Sequence, residues 1–429
     1  MEVVYVDSEP PTGAAGVPAA EAAGGGIRTY LKLAAAACRE AGVDVRIYTH
    51  TPEAYSSLQG CRVLAIGRKP WLPFPWRALA YRLAYHDNVL WEHARWLEEE
   101  LDRTHAPGTA YEFCDFQGYA FFAARNPRLR RHCIVRVHTP AHLAGGRPSG
   151  LRQRLEATLL AYRERDALMR CGFVTLPSAA FAAEKLPWIR NGIHIPNPLP
   201  LAPDSSAPGR EGSEPGRGSG DAGGMRFLYL GRIEARKGVL TLIAGFLRLA
   251  KEDPGVSLTL AGADVQPYAD KVRGMLAGVP PELAGRIAWE GPVPPGRLGG
   301  LLDRFDVLAV PSLWENSPYV YFEGMAAGLV CVGSATGEMK EAAAAFGGLL
   351  APPGDPEAWT LALREAAAVC RDRSRRKDLV GSQRAYLEAR RAAIPPRMLS
   401  LYREAADPDA EGRGEAEGNA AGAGGAEAG

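Results

Sequence analysis

Two glutamates, Glu315 and Glu323, stand eight positions apart in the run Pro311-Ser312-Leu313-Trp314-Glu315-Asn316-Ser317-Pro318-Tyr319-Val320-Tyr321-Phe322-Glu323-Gly324-Met325-Ala326-Ala327-Gly328. The run begins where an apolar strand, Val307 to Val310, is predicted to end. Turn residues follow the first glutamate and helix formers surround the second. Carboxylates accept hydrogen bonds from vicinal hydroxyls, so such a pair at a strand end suits a sugar and a ribose. A second run, Gly231-Arg232-Ile233-Glu234-Ala235-Arg236-Lys237-Gly238, lies between a predicted strand, Phe227 to Leu230, and a predicted helix, Val239 to Lys251. A helix N-terminus at that position offers free N–H groups and a positive dipole to an anion. Arg232 brings a planar fork suited to phosphate oxygens and Lys237 a point charge. Both side chains are expected in an open cleft. Two plainer readings stand beside these: a solvated basic loop, and Glu315 as the cap of the helix that follows it.

Positioning these residues requires parallel strands with helices between them. The chain opens with a strand, Glu2 to Val6, then a Gly/Ala/Pro-rich stretch ending in Gly24-Gly25-Gly26. A helix over Ile27 to Ala41 follows, with Ile27, Tyr30, Leu31, Ala34, Ala37 and Cys38 on its apolar face and Gly42 as its stop. Val43 to Tyr48 is the next strand, which completes a strand–Gly loop–helix–strand unit. Further strands are predicted at Arg62 to Ile66, Ala110 to Phe113, Ile134 to His138 and Phe173 to Leu176, with helices over Ala78 to Arg103 and Leu151 to Arg170. The rhythm stops over residues 201–224, which contain almost nothing that could fill a core. It restarts with strands at Phe227, Val256 to Ala261, Ile287 to Glu290, Val307 and Val330 to Val332. The expected organisation is α/β: a Rossmann-like domain over 1–196 and a linker over 197–224. A second Rossmann-like, doubly wound domain spans 225–380. A helical stretch over 381–406, broken at Pro395-Pro396, packs back on the first domain, and a disordered tail covers 407–429.

Composition narrows the function classes. With 429 residues, 46% hydrophobic and 23% charged, the chain is globular and large enough for two domains. A net charge of +1 gives no electrostatic reason to expect nucleic acid. Seven scattered cysteines form no CxxC pair, so neither a zinc site nor a disulfide framework is indicated, and a reducing cytoplasm fits. No stretch of about 18 apolar residues would span a membrane. Peripheral membrane contact stays open, because Pro70-Trp71-Leu72-Pro73-Phe74-Pro75-Trp76-Arg77 is apolar, aromatic and basic, although packed loops share that composition.

The stretch from 225 to 345 resembles retaining glycosyltransferase family 4, whose signature is Glu-x7-Glu and whose fold is GT-B: two Rossmann-like domains facing across a cleft. The likeness rests on Pro311-Ser312, Glu315, Glu323, Met325-Ala326-Ala327-Gly328 and Gly231-Arg232 with Lys237-Gly238. The chain departs from it with Asn316 where Gly is usual and Gly324 where Ala is usual. The resemblance implies that Arg232 and Lys237 hold a diphosphate and that Glu323 binds ribose hydroxyls. It implies that Glu315 contacts the donor sugar with the backbone of Asn316, Ser317 and Pro318. Gly25 and Gly26 resemble the family's glycine loop beside the donor, and His138 ends a predicted strand as the family's active-site histidine does. Tyr111 to Phe116 would line the acceptor side.

The implied activity is transfer of a sugar from a nucleotide-sugar donor to a glycan, lipid-linked or small-metabolite acceptor. By resemblance it proceeds with retention, and it needs no cofactor beyond that substrate. The only Asp-x-Asp, Asp407-Pro408-Asp409, lies in the tail, so no metal is expected. A nucleotide-sugar epimerase and a non-catalytic nucleotide-sugar binder share the architecture. A nicotinamide or flavin oxidoreductase fits less well, since the first loop lacks G-x-G-x-x-G and no acid ends the second strand.

Overall fold

Short apolar runs rich in Val, Ile, Leu and Tyr become two all-parallel sheets. The computed structural model describes residues 1–8, 26–144, 150–200, 224–265 and 267–408. The first sheet has seven strands: β1 (Glu2–Val6), β2 (Asp44–Thr49), β3 (Arg62–Ala65), β4 (Thr109–Cys114), β5 (Cys133–Arg136), β6 (Phe173–Leu176) and β7 (Gly192–His194). They are ordered β3-β2-β1-β4-β5-β6-β7. Its helices are α1 (Gly26–Glu40), α2 (Trp76–Leu83), α3 (Tyr85–Thr104), α4 (Ala141–Ala144) and α5 (Leu151–Arg170).

The next helix, α6 (Ala179–Lys185), belongs to the second unit, whose six strands are β8 (Met225–Leu230), β9 (Val256–Ala261), β10 (Ile287–Gly291), β11 (Val307–Val310), β12 (Val330–Ser334) and β13 (Leu349–Ala351). Their order, β10-β9-β8-β11-β12-β13, repeats the first sheet's pattern. Its helices are α7 (Val239–Glu252), α8 (Tyr268–Ala277), α9 (Pro281–Ala284), α10 (Leu298–Leu302), α11 (Tyr319–Ala326), α12 (Gly337–Phe346), α13 (Pro356–Arg371) and most of α14 (Arg373–Ala406). All four residues of β11 are buried, as expected of a central strand covered by helices on both faces.

Several boundaries differ from the sequence reading. The helix expected over Ala78 to Arg103 is two, interrupted at Ala84, whose φ of −150° is not helical. On α1, Ala35 rather than Ala37 completes the buried face. Strand β5 ends at Arg136, so His138 stands two residues beyond it. Ser178 to Trp188 and the chain from Pro196 group with the second unit, while Ile189 to Ile195 returns to the first. The cause is local: Glu341 on α12 accepts from Ser178 Oγ at 2.9 Å and from Ala180 N–H at 2.5 Å, which ties α6 to that unit. Residues 201–223 of the linker expected over 197–224, the glycines Gly24 and Gly25, and the tail from Asp409 lie outside the described residues.

The break expected at Pro395-Pro396 does not occur, because α14 runs through both prolines. An interior proline costs about 3 kcal/mol of helix stability. Burial of Ile394, Met398, Leu401 and Tyr402, one stripe of the helix, contributes about 1.5–3 kcal/mol apiece and outweighs it. The segment from Ile394 packs in the first unit. There Tyr402 donates to Glu112 at 2.8 Å and Tyr30 to the other oxygen of Glu112 at 2.6 Å. Tyr111 and Glu112 are therefore interior residues.

Candidate functional site

Strands β8 and β11 are neighbours, and the chain leaves them in opposite directions across the sheet, β8 toward β9 and β11 toward β12. This reversal opens a crevice at the carboxyl ends of parallel strands. Both motif runs lie there. The loops lock together through their backbones: Leu313 N–H donates to Arg236 O at 2.7 Å. Gly238 has φ +67°, and a Cβ on it would stand 1.9 Å from Pro311 O. Only glycine fits both the left-handed backbone and that approach.

Three donors converge on Glu315. Lys237 Nζ donates to Oε2 at 2.6 Å, Arg236 Nη1 reaches both oxygens at 3.0 and 3.1 Å, and Ser312 Oγ donates to Oε2 at 3.2 Å. Burial pushes the Glu315 carboxyl up, but Lys237, Arg236 and the hydrogen bonds outweigh burial and hold it at about 2. Burial, aided by Arg236, moves the Lys237 ammonium down despite Glu315. Arg236 also donates to Glu234 at 2.9 Å and lies over the Trp314 ring at 4.9 Å.

Lys237 is therefore a buried ion-pair partner, with its side chain 17% exposed, and not the open-cleft lysine expected. Arg232 does lie open, 61% exposed, with Glu234 at 3.2 Å. Nor does Glu315 cap a helix, since Pro318 occupies that position and its side chain makes no cap bond. Helices α7 and α11 both begin at this crevice without a side-chain cap. Their first N–H groups and positive dipole ends are thus available to an anion.

Glu323 sits on α11, half-buried and with no hydrogen-bond or ionic partner among the described residues. Burial alone pushes its carboxyl up to about 6. The loop between the two glutamates rests on α12. Asn316 is buried and its carbonyl accepts from Glu338 N–H at 2.8 Å. A Cβ on Gly337, at φ +51°, would lie 1.8 Å from Glu315 O. Burial moves the Glu338 carboxyl up although Arg390 opposes it. Arg390 on α14 pairs with Glu338 at 2.5 Å and covers the Phe322 ring at 4.2 Å.

Gly337→Ala is expected to displace the Glu315 backbone and destabilise the fold by about 1–3 kcal/mol, the usual cost of a left-handed non-glycine residue. Thermal unfolding measures this, and an unshifted midpoint would show that the loop yields freely.

In the first unit, the corresponding reversal lies between β1 and β4. Gly26 opens α1, whereas Gly25 lies outside the described residues. Asp115, directly after β4, is buried. Its Oδ1 accepts from the N–H groups of His138 at 2.9 Å and Thr139 at 3.3 Å, and its Oδ2 has no partner. Burial, reinforced by Glu164, pushes this carboxyl up to about 8, so the acid is largely protonated at neutral pH. His138 is buried with its ring edge-on to Tyr30 at 4.8 Å. Burial and Arg136 move the imidazole well below its ordinary range, so it is neutral.

Residues 25–188 match the family described as "Glycosyl transferase 4-like domain", and residues 224–368 the family described as "Glycosyl transferases group 1". Each unit thus contains a region that matches a glycosyltransferase family. Each match starts close to its site: the first at the end of the glycine run, the second one residue before β8. Among curated proteins, glycogen synthase of Mycobacterium tuberculosis is 31% identical over 208 residues, 44% of this chain and 48% of that protein. The chain thus spans about half the length of that relative. D-inositol 3-phosphate glycosyltransferase of Kineococcus radiotolerans is 25% identical across 91% of this chain and 93% of its own length.

Among solved structures, sucrose-phosphate synthase from Thermosynechococcus elongatus superposes with a TM-score of 0.66 at 20% identity, covering 94% of this chain and 99% of that one. Anabaena Alr3699/HepE in complex with UDP-glucose does so with a TM-score of 0.61 at 16% identity, covering 94% and 99%. The fold of these glycosyltransferase domains is GT-B.

Proposed function

We propose that this chain is a retaining glycosyltransferase that moves a sugar from a nucleotide-sugar donor to an acceptor hydroxyl without a metal ion. One observation carries the reading. The loop after β8 brings Arg232, Arg236 and Lys237 to the loop after β11, which brings Glu315, beside two helix N-termini that lack side-chain caps. A leaving nucleoside diphosphate gains negative charge as the glycosidic bond breaks. Fixed cations and helix dipoles stabilise that charge without a metal bridge. Arg232, exposed and weakly paired, meets the diphosphate first. Lys237 is held in reserve by Glu315 and can share its protons with a phosphate oxygen. Glu323, unpartnered on α11, accepts from the ribose hydroxyls, and the Glu315–Pro318 loop faces the donor sugar.

In the transfer itself, the acceptor oxygen bonds to the anomeric carbon on the face that the phosphate leaves. The bond from that carbon to the phosphate oxygen breaks, and the acceptor proton passes to the departing phosphate. Neutral His138, with its backbone fixed by Asp115, serves as a hydrogen-bonding group rather than a cation. The UDP-glucose carried by the Anabaena relative in fold supports a nucleotide sugar as the donor class.

A panel of nucleotide sugars tests the reading, with transfer and hydrolysis followed by product chromatography and the product anomer assigned by NMR. At least one donor is expected to turn over with its configuration kept. Nucleoside diphosphates should raise the unfolding temperature and NAD should not. No turnover of any donor, together with stabilisation by NAD alone, would remove the proposal. Activity is also expected to persist in excess EDTA. Loss in the chelator, restored by magnesium or manganese, would contradict charge neutralisation by Arg232 and Lys237.

A further inference from the structure

The first unit holds an apolar surface that the transfer chemistry does not use. Helix α2 has no buried residue. Phe74 is 80% exposed, Trp76 63%, Leu79 48% and Leu83 52%. Monomeric proteins rarely leave large apolar side chains clustered in water without a use for them. At about 100° per residue, Trp76, Leu79, Ala80 and Leu83 fall on one stripe, and Arg77 and Arg82 stand about 100–120° to either side of it. Neither arginine has a carboxylate partner among the described residues. Between residues 62 and 86 the chain carries five Arg or Lys and no Asp or Glu.

The exposure is not that of a loose segment. Asn88 on α3 donates to the carbonyls of Ala80 and Ala84, both at 2.7 Å, and so secures the end of α2. Arg68 bonds Tyr81 at 2.7 Å and Glu92 at 2.8 Å. Below the segment, Trp71 stacks on Trp91 at 4.9 Å and donates to Asn88 at 3.1 Å. One side of α2 is thus fastened by polar bonds, and the other is presented as an apolar stripe between two free cations.

We propose that this face, Phe74 with α2, docks on the surface of an anionic phospholipid bilayer. The chemistry matches that surface on each count. Trp and Phe partition to the boundary between headgroups and acyl chains, and leucines add apolar area. Arginines flanking the stripe extend to headgroup phosphates while their stems stay apolar. Their charge, with no acid between residues 62 and 86, is complementary to an anionic leaflet. A protein partner for the stripe would not require the unopposed cations on both flanks. The mode is contact with a surface, since no helix among the described residues is long and apolar enough to cross a membrane.

Vesicle sedimentation of the full chain tests this. The probes are phosphatidylcholine vesicles and vesicles in which phosphatidylglycerol replaces about a third of the lipid. The chain is expected to sediment with the anionic vesicles and to be released by raised salt. The double variant R77Q/R82Q is expected to weaken that partition roughly 30-fold, at about tenfold for each 1.4 kcal/mol and about 1 kcal/mol per cation. The variant W76S/L79S should lose it by at least about tenfold. Both variants change side chains that are exposed or, for Arg77, only partly buried, so unfolding temperature and turnover of a soluble donor should stay as in the wild type. Failure of the wild-type chain to bind anionic vesicles at low salt overturns the proposal, as does equal binding of wild type and both variants. A dimer in solution that W76S/L79S dissolves also overturns it, by assigning the stripe to a second copy of the chain.

Discussion

Lys237→Ala is expected to lower turnover by roughly 30- to 1000-fold, corresponding to about 2–4 kcal/mol of lost transition-state stabilisation, and to lower the unfolding temperature as well. The second effect follows from the ion pair. Lys237 and Glu315 are 2.6 Å apart and both largely buried, so removing the lysine leaves a buried carboxylate with Arg236 and Ser312 as its remaining donors. Breaking a buried pair completely costs about 3–5 kcal/mol, and the surviving arginine should reduce that to about 1–3 kcal/mol. Arg232→Ala is the control. Its side chain is largely in solvent, so turnover should fall by a similar factor while the unfolding temperature stays put. Equal thermal effects in the two variants, or normal turnover in both, would separate these cations from the chemistry.

The ion pair also sets an acid limit. Its depressed carboxyl, at about 2 against an ordinary 4.5, contributes stability above pH 4.5 that is lost as pH falls toward 2. In Lys237→Ala that acid-dependent loss should shrink.

What the sequence made legible was the frame of the site. Apolar runs of strand length alternating with helices give parallel sheets, and parallel connections fix the motif loops at the carboxyl ends of strands. Arg232, Lys237, Glu315 and Glu323 were all identifiable on that basis. What stayed hidden was contact between loops. Lys237 and Glu315 are 78 residues apart, and no local pattern announces that one neutralises the other. Arg236 was in plain view within the motif, but its neighbour Lys237 explained the basic loop without it. Asp115 fell within the Tyr111–Phe116 segment without a role of its own; the signal was an acid placed directly after a central strand, and in the fold it stands two residues before Gln117, whose φ of +66° marks a tight turn. The displacement of α6 to the second unit rests on a carboxylate more than 150 residues away, since Glu341 and Ser178 are 163 positions apart. The continuation of α14 through two prolines depends on burial that only the folded first unit supplies.

Glu323→Gln and Glu315→Gln are expected to act in opposite directions on nucleotide binding. Glu323 is an unpartnered carboxylate that burial holds at about 6. If it accepts from ribose hydroxyls, its loss should weaken both the nucleoside diphosphate and the intact donor, by about 1.5–3 kcal/mol or roughly 10- to 150-fold. Only the ionised form is a full acceptor, so wild-type affinity should fall as pH drops through about 6, and the glutamine variant should lack that dependence. The intact donor is the cleaner probe, because a terminal phosphate titrates near pH 6 itself, at about the same point as Glu323. Glu315 differs because it already neutralises Lys237 and Arg236. Removing its charge leaves two cations facing the crevice, which should hold a nucleoside diphosphate at least as tightly as the wild type does. Turnover should nevertheless fall, since the cations lose their fixed geometry, and the unfolding temperature should drop because buried Lys237 loses its carboxylate and Arg236 keeps only Glu234. Calorimetry with the nucleoside diphosphate and the intact donor, run at two pH values on either side of 6, resolves both effects. Equal weakening of diphosphate binding by the two substitutions would show that Glu315 touches the nucleotide and that the division of labour between the glutamates is wrong.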